Sequence, residues 1–532
     1  MMRPVCCLLL CTLLSACNSD PSTGTGGADS TTTTETIQCD PPSPGSKVPF
    51  VDVTDEWNLT FEHHATTEFC DITDTVGGPG VCAFDADGDG DVDLYFLDRE
   101  GFPNKLYRND GQTFTDVTEG SGAGLTDDSH ACLAFDYDGD GDLDLFVGNS
   151  GPDKLLKNTG GVFEDVTEEL GLIETGYTTT ATAADIDVDG DLDLFVGHLV
   201  TPETCPAGFC SPTPKACEAE TNMLWVNTGG MFINESDARG ITHQEPTLAS
   251  LFFDFDSDGD VDLFVGNDIG SKNPDRLYKN DGTGHFKDAA QGLGLELYGT
   301  DTMGIDVGDA DGDGKVDIVM TDFELQPTRL ITCKDPVLPC DMVGINQEST
   351  QTVKWGIALA DFDHDTDLDI FHTGGHVNVP VDHAGDLHQL HWNDEEGFFT
   401  YHVPSEGEAL AERHLGRGAA FADLDGDLDL DIVIANADRP AQILLNQAAG
   451  GHALLVQLDS LSAGARVTVQ SGGTSRTEHA LVGGSYAGSS DPRVHFGLGN
   501  TCAVDVLVQW PGGAEKQIKG VSTGQSLLVV RD

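Results

Sequence analysis

The sequence predicts an all-β chain folded as a seven-bladed β-propeller with a small C-terminal β domain. Three observations carry this. Seven aspartate-rich loops recur between residues 85 and 431, and each runs directly into an apolar, strand-like stretch. Asn-Asp-Gly or Asn-Thr-Gly hairpin signals follow several of these loops in register, as in LYRNDGQTFTDVT (106–118) and LLKNTGGVFEDVT (155–167). No convincing amphipathic helix breaks the pattern. A repeat of about 50 residues cannot bury both sheet faces alone, whereas stacking such sheets around a ring buries them and leaves only short edges.

The chain opens on MMRPVCCLLLCTLLSAC, with Arg3 ahead of an apolar run and small residues before Cys17. Residues 1–17 read as a secretory signal too short to span a membrane. LSAC (14–17) resembles the lipobox of bacterial lipoproteins, which implies cleavage before Cys17 and lipidation of its thiol. Asn18, not an aspartate, follows, so the resemblance implies the outer membrane rather than the inner. Residues 18–48 are rich in Thr, Ser and Gly and read as a flexible tether.

The propeller is assigned to residues 49–449. Its loops start at residues 85, 136, 185, 254, 309, 361 and 423, spaced by 51, 49, 69, 55, 52 and 62 residues. The long third spacing contains a cysteine-rich insertion at 201–220, the kind of loop that often carries binding function. PFVDVT (49–54) echoes TFTDVT of the first unit, while the seventh unit stops at QILLNQAAG (442–450) without such a strand. The N-terminal strand is therefore predicted to complete the last blade. Residues 450–532 are strand-rich and read as a separate small β domain.

The chain of 532 residues carries 91 acidic against 26 basic side chains, a formal net charge of −65. That excess repels phosphates and excludes nucleic acid as a partner. With 39% hydrophobic residues and acids in recurring places, the chain is not a disordered polyanion. Its ten cysteines beyond Cys17 form an even set, which in an exported chain reads as disulfides. Cys333 and Cys340, flanking a short loop, are the predicted pair. The spacing of Cys205, Cys210 and Cys217 does not fit zinc ligands.

Positions 1, 3, 5, 7 and 9 of the loops carry the candidate metal ligands. They are Asp85, Asp87, Asp89, Asp91 and Asp93; Asp136, Asp138, Asp140, Asp142 and Asp144; Asp185, Asp187, Asp189, Asp191 and Asp193. They continue with Asp254, Asp256, Asp258, Asp260 and Asp262; Asp309, Asp311, Asp313, Lys315 and Asp317. The last two sets are Asp361, Asp363, Asp365, Asp367 and Asp369, and Asp423, Asp425, Asp427, Asp429 and Asp431. Alternate carboxylates followed by a turn suit a hard cation with oxygen ligands. Without one, the carboxylates would raise one another's pKa. Calcium is expected at up to seven sites, and magnesium, which prefers few carboxylates and retained waters, is disfavoured. Lys315 cannot ligate through its side chain, so position 7 is assigned its backbone carbonyl. The loop is not an EF-hand, because its twelfth position is Phe96 in the first unit and Val147 in the second. Position 6 is glycine except for Thr366 and Leu428, so the sixth and seventh sites are expected to be weaker or distorted.

These loops resemble the calcium loops of FG-GAP/VCBS repeats, as in the integrin α-subunit propeller, over roughly residues 80–450. TVGGPGVCAFDADGDGDVDLYF (75–96) resembles the cartilage-acidic-protein group. The tail between GARVTVQSGG and VQWPGG (464–513), with SDPRVHFGLG inside it, is similar to the ASPIC/UnbV domain. The resemblance implies a calcium-loaded propeller fused to that domain and supplies no ligand.

Histidines 372, 376, 383, 388, 391, 402 and 414 cluster late. They lack HExxH or any fixed two-histidine spacing and read as structural or loop residues. No nucleophile elbow, phosphate loop or dinucleotide fingerprint is present. The expected function is therefore a lipid-anchored, calcium-binding module of the cell envelope that binds a protein or glycan ligand, as in adhesion. A polysaccharide enzyme using a propeller face or the central channel is one alternative, and a scaffold of an envelope complex is another.

Overall fold

The computed structural model describes residues 39, 42, 45–64, 78–201, 204, 217–268, 273–296, 300–334, 339–345, 352–377, 385–393, 397–437, 439–459 and 462–531. The signal segment, Cys17, the tether up to residue 38, most of the insertion and His383 lie outside them. Helices among the described residues are single turns, none long and apolar enough to cross a membrane.

Seven antiparallel four-stranded blades follow one another, the second and third joined into one eight-stranded sheet by the pairs Gly176↔Gly151 and Tyr177↔Ser150. Blade 1 comprises Val81–Phe84, Asp93–Phe96, Lys105–Asn109 and Phe114–Asp116. Blades 2 to 6 repeat this order, starting from Ser129–Phe135, Gly176–Ala184, Thr247–Phe253, Thr302–Gly308 and Lys354–Ala360. Blade 7 takes Gly416–Ala422, Asp431–Asn436 and Gln442–Asn446 from late in the chain. Its fourth strand is Phe50–Asp52, paired Phe50↔Asn446 and Asp52↔Leu444. The first strands of consecutive blades touch in turn, and that of blade 7 touches that of blade 1, so the ring closes. The predicted latch is thus present. Phe50 completes it by packing edge-on against Phe362 and Phe371 between blades 6 and 7.

The first strands are rich in small residues because they converge on the axis. A Cβ on Gly356 would meet Ala419 N at 2.8 Å, and one on Gly418 would meet the Gly80 Cα at 2.9 Å. Larger side chains fill the wedges between sheets, for example Phe135, Phe146, Phe195 and Trp225 in the cluster that joins blades 2, 3 and 4. Cys82–Cys132 ties the first strands of blades 1 and 2, and Cys333–Cys340 closes a hairpin of blade 5 as expected.

The C-terminal segment forms two small sheets. One orders Thr474–His479, Arg466–Ser471, Ala503–Gln509 and Glu515–Ser522; the other joins Val494–Gly499, His452–Leu458 and Gln525–Val529. Leu454, Val467, Phe496, Val506 and Trp510 make its core. It is not the separate appendage that the sequence suggests. Residues 482–490 leave the small domain and enter the propeller's central channel. There Ile305 N–H donates to Ser485 O at 3.2 Å, and Ser485 N–H returns to Ile305 O at 2.8 Å. Ala83 N–H donates to Ser489 O at 3.0 Å and Ala183 N–H to Val482 O at 3.2 Å. Ser485 Oγ accepts from Ile357 N–H and donates to Ala419 O, and Ser490 Oγ accepts from Phe421 N–H. Ala134 N–H of blade 2 also donates to Ser489 Oγ at 3.4 Å, so the segment satisfies inward-facing groups of blades 1, 2, 3, 5, 6 and 7. It does so in a strained form, with Ser485 at φ 54° and Ala487 at φ 57°. Cys39–Cys502 fastens the chain ahead of blade 7 to the same domain. The tether ends earlier than predicted, since Ser46 N–H already donates to Gln447 O at 2.6 Å.

Candidate metal centres and the covered face

Each aspartate loop joins the first two strands of its blade and folds around its position-1 carboxylate. In loop 1, Asp85 Oδ1 accepts from Gly88 and Asp89 N–H, and Oδ2 accepts from Gly90 N–H at 3.0 Å. The position-9 carboxylate holds the opposite wall: Asp93 accepts from Ala86 N–H at 2.9 Å and from Asn109 N–H at 2.8 Å. Positions 1, 3 and 9 converge, with ligand atoms within 4.8 Å of one another in Asp85–Asp87–Asp93, Asp136–Asp138–Asp144 and Asp185–Asp187–Asp193. Position 7 does not turn its side chain inward in loops 2 and 3. There Asp142 and Asp191 accept from the hairpin amides of Gly160 and Gly229. The backbone N–H of Lys315 donates to Asp313 at 2.9 Å, as Asp91 does to Asp89 at 3.0 Å.

Two positions in every loop are left-handed, not one. Position 4 is so in all seven, including Val188, Ser257 and His364 at φ 57–60°. At position 6, Thr366 has φ 92° and Leu428 φ 73°. The expected distortion of loops 6 and 7 is absent. Thr366 N–H reaches Asp361 Oδ2 at 2.9 Å and Leu428 N–H reaches Asp423 Oδ2 at 3.1 Å, as Gly90 does in loop 1. The same path is kept at a strain of about 1–2 kcal/mol per non-glycine residue.

The carboxylates fit a cation. Buried oxygens Asp87 Oδ1, Asp187 Oδ1, Asp256 Oδ1, Asp309 Oδ1 and Asp425 Oδ1 have no hydrogen-bond partner among the described residues. Basic side chains of the propeller itself approach three of the loops. Lys157 pairs with Asp138 and Asp140, Lys279 with Asp256, and Arg239 with Asp187 at 3.0 Å. An ammonium there does part of what a bound ion would do. Burial, reinforced by neighbouring loop carboxylates, pushes Asp93 up to about 7 and Asp144, Asp193 and Asp317 up to about 8.

This sets the sign of the loops' own contribution to a pH dependence, which buried histidines such as His388 and His391, held by burial below the usual imidazole range, oppose. A carboxyl raised from its unfolded value near 3.9 adds stability at low pH that is lost as pH rises through its folded value. In chelator, the melting temperature at pH 5 minus that at pH 8 is expected to be greater in wild type than in Asp144→Asn. Saturating calcium should shrink or reverse that difference, which differential scanning calorimetry at the two pH values would read.

An element that the sequence shows only as a turn signal links neighbouring loops around the ring, except between loops 4 and 5. The asparagine of six hairpins donates its side-chain amide to the position-2 carbonyl of the preceding blade. Asn158 bonds Ala86 O, Asn227 Tyr137 O, Asn280 Ile186 O, Asn393 Ala310 O, Asn446 Phe362 O and Asn109 Leu424 O. Because the same asparagines donate N–H to their own position-9 carboxylates, each loop is braced by its neighbour. In blade 5 the place is taken by Cys333, and the disulfide to Cys340 closes the turn.

The C-terminal domain sits on the face that carries these loops. Arg466 approaches Asp254 at 3.5 Å and Arg476 approaches Asp361 at 3.4 Å, each at position 1. His495 lies 3.2 Å from His364 and 3.0 Å from Leu428 O. Gly512 N–H donates to Gly259 O at 3.2 Å. Tyr486, 1% exposed, reaches through the channel to the Trp355 ring at 4.8 Å, and Arg417 lies over the other indole contact at 4.5 Å.

The late histidines serve the fold. His372 and His391 are buried in blade 6 with ring centroids 5.4 Å apart, and His388 stacks on His414 at 5.5 Å. His376 pairs with Asp386, and His402 with Glu408 at 2.9 Å.

The class defined by this architecture is a β-propeller of aspartate-loop repeats whose loop face and channel are occupied by its own C-terminal β domain. The FG-GAP-like repeat family matches residues 85–147, 136–196 and 254–320, and the ASPIC and UnbV family matches residues 458–532. The chain is similar to cartilage acidic protein 1, being 30% identical to the mouse and human proteins over 264 residues, 47% of this chain. It spans only 40% and 39% of those relatives' lengths. Among solved structures, an Agrocybe aegerita lectin aligns with a TM-score of 0.40 at 16% identity, covering 70% of this chain and 92% of the lectin. The exotype rhamnogalacturonan lyase YesX aligns at 0.38 and 14% identity, covering 70% and 73%.

Proposed function

We propose that this chain is an exported, lipid-anchored calcium-binding propeller of the cell envelope that acts as a binding module for a protein or glycan ligand. The observation that carries this is the filled channel. Residues 482–490 occupy the axis where a propeller enzyme would gather its groups, and the small domain covers the aspartate-loop face. Calcium is then a structural ion. The carboxylates of positions 1, 3, 5 and 9 and the carbonyl of position 7 would hold it, and it would neutralise the loops and stiffen the face on which the C-terminal domain rests. Lipidation at Cys17 would place the assembly on the outer membrane through the tether. Ligand contact falls to the opposite face, where the insertion at 201–220 emerges. Phe102, stacked on His64, and Leu325, 73% exposed, are presented there.

The test is capture on a glycan array and on envelope protein fractions by the full mature chain in millimolar calcium. Binding is expected to fall at least tenfold in Phe102→Ser or Leu325→Ser. It should be unchanged in Leu528→Ser, on the exposed surface of the C-terminal domain. Loss of capture in Leu528→Ser alone, or glycan turnover by the wild-type chain, would overturn the reading.

A further inference from the structure

A second cluster of metal-type ligands lies at the other end of the blades. Asp153 follows the strand Asp144–Gly151, Glu174 precedes Gly176–Ala184, and His198 ends Asp193–His198. The latter strand begins at an aspartate loop, so six residues, about 17 Å of extended chain, separate the two ends. The ligand atoms of Asp153, Glu174 and His198 lie within 4.8 Å of one another. All three side chains are buried, with Asp153 3% and His198 2% exposed and the Glu174 side chain 7%.

His198 and Glu174 stand at ion-pair distance, and the remaining details are those of a ligand set. His198 Nδ1 lies 2.8 Å from the Thr221 carbonyl, so it carries the ring proton and leaves the Nε2 lone pair facing the carboxylates. Nε2 is 3.2 Å from Glu174 Oε1, yet neither atom, nor Glu174 Oε2, has a hydrogen-bond partner among the described residues. Asp153 is held in place by Asn149 N–H at 2.8 Å and by the Thr178 hydroxyl at 2.9 Å. The space beside the cluster is kept open by a glycine. A Cβ on Gly176 would stand 2.8 Å from His198 Nε2 and 3.0 Å from Glu220 Oε2.

Two buried carboxylates facing a neutral imidazole leave a net negative charge that a low-dielectric site does not tolerate unpaired. A dication satisfies the same groups through the Nε2 lone pair and the orphaned oxygens. The imidazole selects against calcium, which takes oxygen ligands, and favours a zinc-type ion.

We propose that Asp153, Glu174 and His198 form a site for a first-row transition-metal dication of the zinc class, between blades 2 and 3 at the end opposite the aspartate loops. It braces the junction from which the 201–220 insertion emerges.

The experiment is equilibrium dialysis of the full chain against zinc, with calcium in large excess to keep the aspartate loops from taking it up. Wild type is expected to bind one zinc ion that Glu174→Gln and His198→Gln bind at least tenfold more weakly. Gly176→Ala, which removes no ligand, should also weaken binding. Circular dichroism in calcium would show that the variants fold. If they do not, the wild-type chain loaded with cobalt decides the matter. Cobalt held in a four-coordinate site of the zinc type gives an intense visible d–d spectrum that zinc displaces, whereas cobalt in six-coordinate aspartate loops absorbs weakly. Absence of zinc uptake and of that spectrum in wild type, or equal uptake by folded Glu174→Gln, would overturn the proposal and assign the triad to shared protons.

Discussion

Transfer of the purified chain from millimolar calcium into excess EDTA lowers its melting temperature by about 3–10 °C. The magnitude follows from mass action. Extracellular calcium modules bind with Kd of about 10⁻⁴–10⁻³ M, so each occupied site contributes roughly 0.4–1.4 kcal/mol at millimolar calcium. Seven such terms sum to roughly 3–10 kcal/mol, comparable with a whole domain's stability, and the melting entropy of a body this large converts that at about 1 °C per kcal/mol. The loops with orphaned buried oxygens and no close basic side chain, around Asp87, Asp309 and Asp425, should bind most strongly. In loops 2 and 4, Lys157 and Lys279 already pair with the carboxylates and compete with the ion. Magnesium at the same concentration should recover less than calcium. Superimposable melting curves with and without chelator, together with no alkaline-earth metal in the desalted protein, would remove calcium from this account.

The second large effect is expected at Tyr486. Truncation to alanine empties a buried site at the bottom of the channel, where the ring meets Trp355 and sits in a cluster with Tyr177, Leu248 and Met303. Removing a buried aromatic ring costs about 3–5 kcal/mol. The loss should act on both parts of the protein, because the same segment hydrogen-bonds the first strands of six blades. Wild type is expected to unfold in one calorimetric transition, and Tyr486→Ala in an earlier, broader one that approaches two. An unchanged melting temperature, or a wild-type C-terminal domain that melts independently, would show that the segment rests in the channel without holding it.

Much of the architecture is legible in the chain because it is local and repeated. An aspartate loop, a following apolar strand and a glycine-containing turn are each read within a dozen residues. Seven copies set the ring, and the displaced PFVDVT strand announces its closure. The loop carboxylates are legible for the same reason, down to the lysine that stands at position 7 of the fifth loop. The second left-handed position was missed, since glycine marks it in only four loops, while Val188, Ser257 and His364 hold the same backbone elsewhere. The asparagine links were missed because their bonds cross to the preceding blade.

By itself, then, the sequence determined the blades, the latch and the carboxylate sets, all of which follow from short-range periodicity. Only the tertiary structure decided that the channel is filled and that the loop face is covered. Ala183 meets Val482 and Arg476 meets Asp361 across spans of sequence that no local pattern encodes. The same holds for Asp153, Glu174 and His198, whose spacing matches no motif. They become neighbours because two blades, each closed by its own hydrogen bonds, pack side by side and leave their polar ends facing one another.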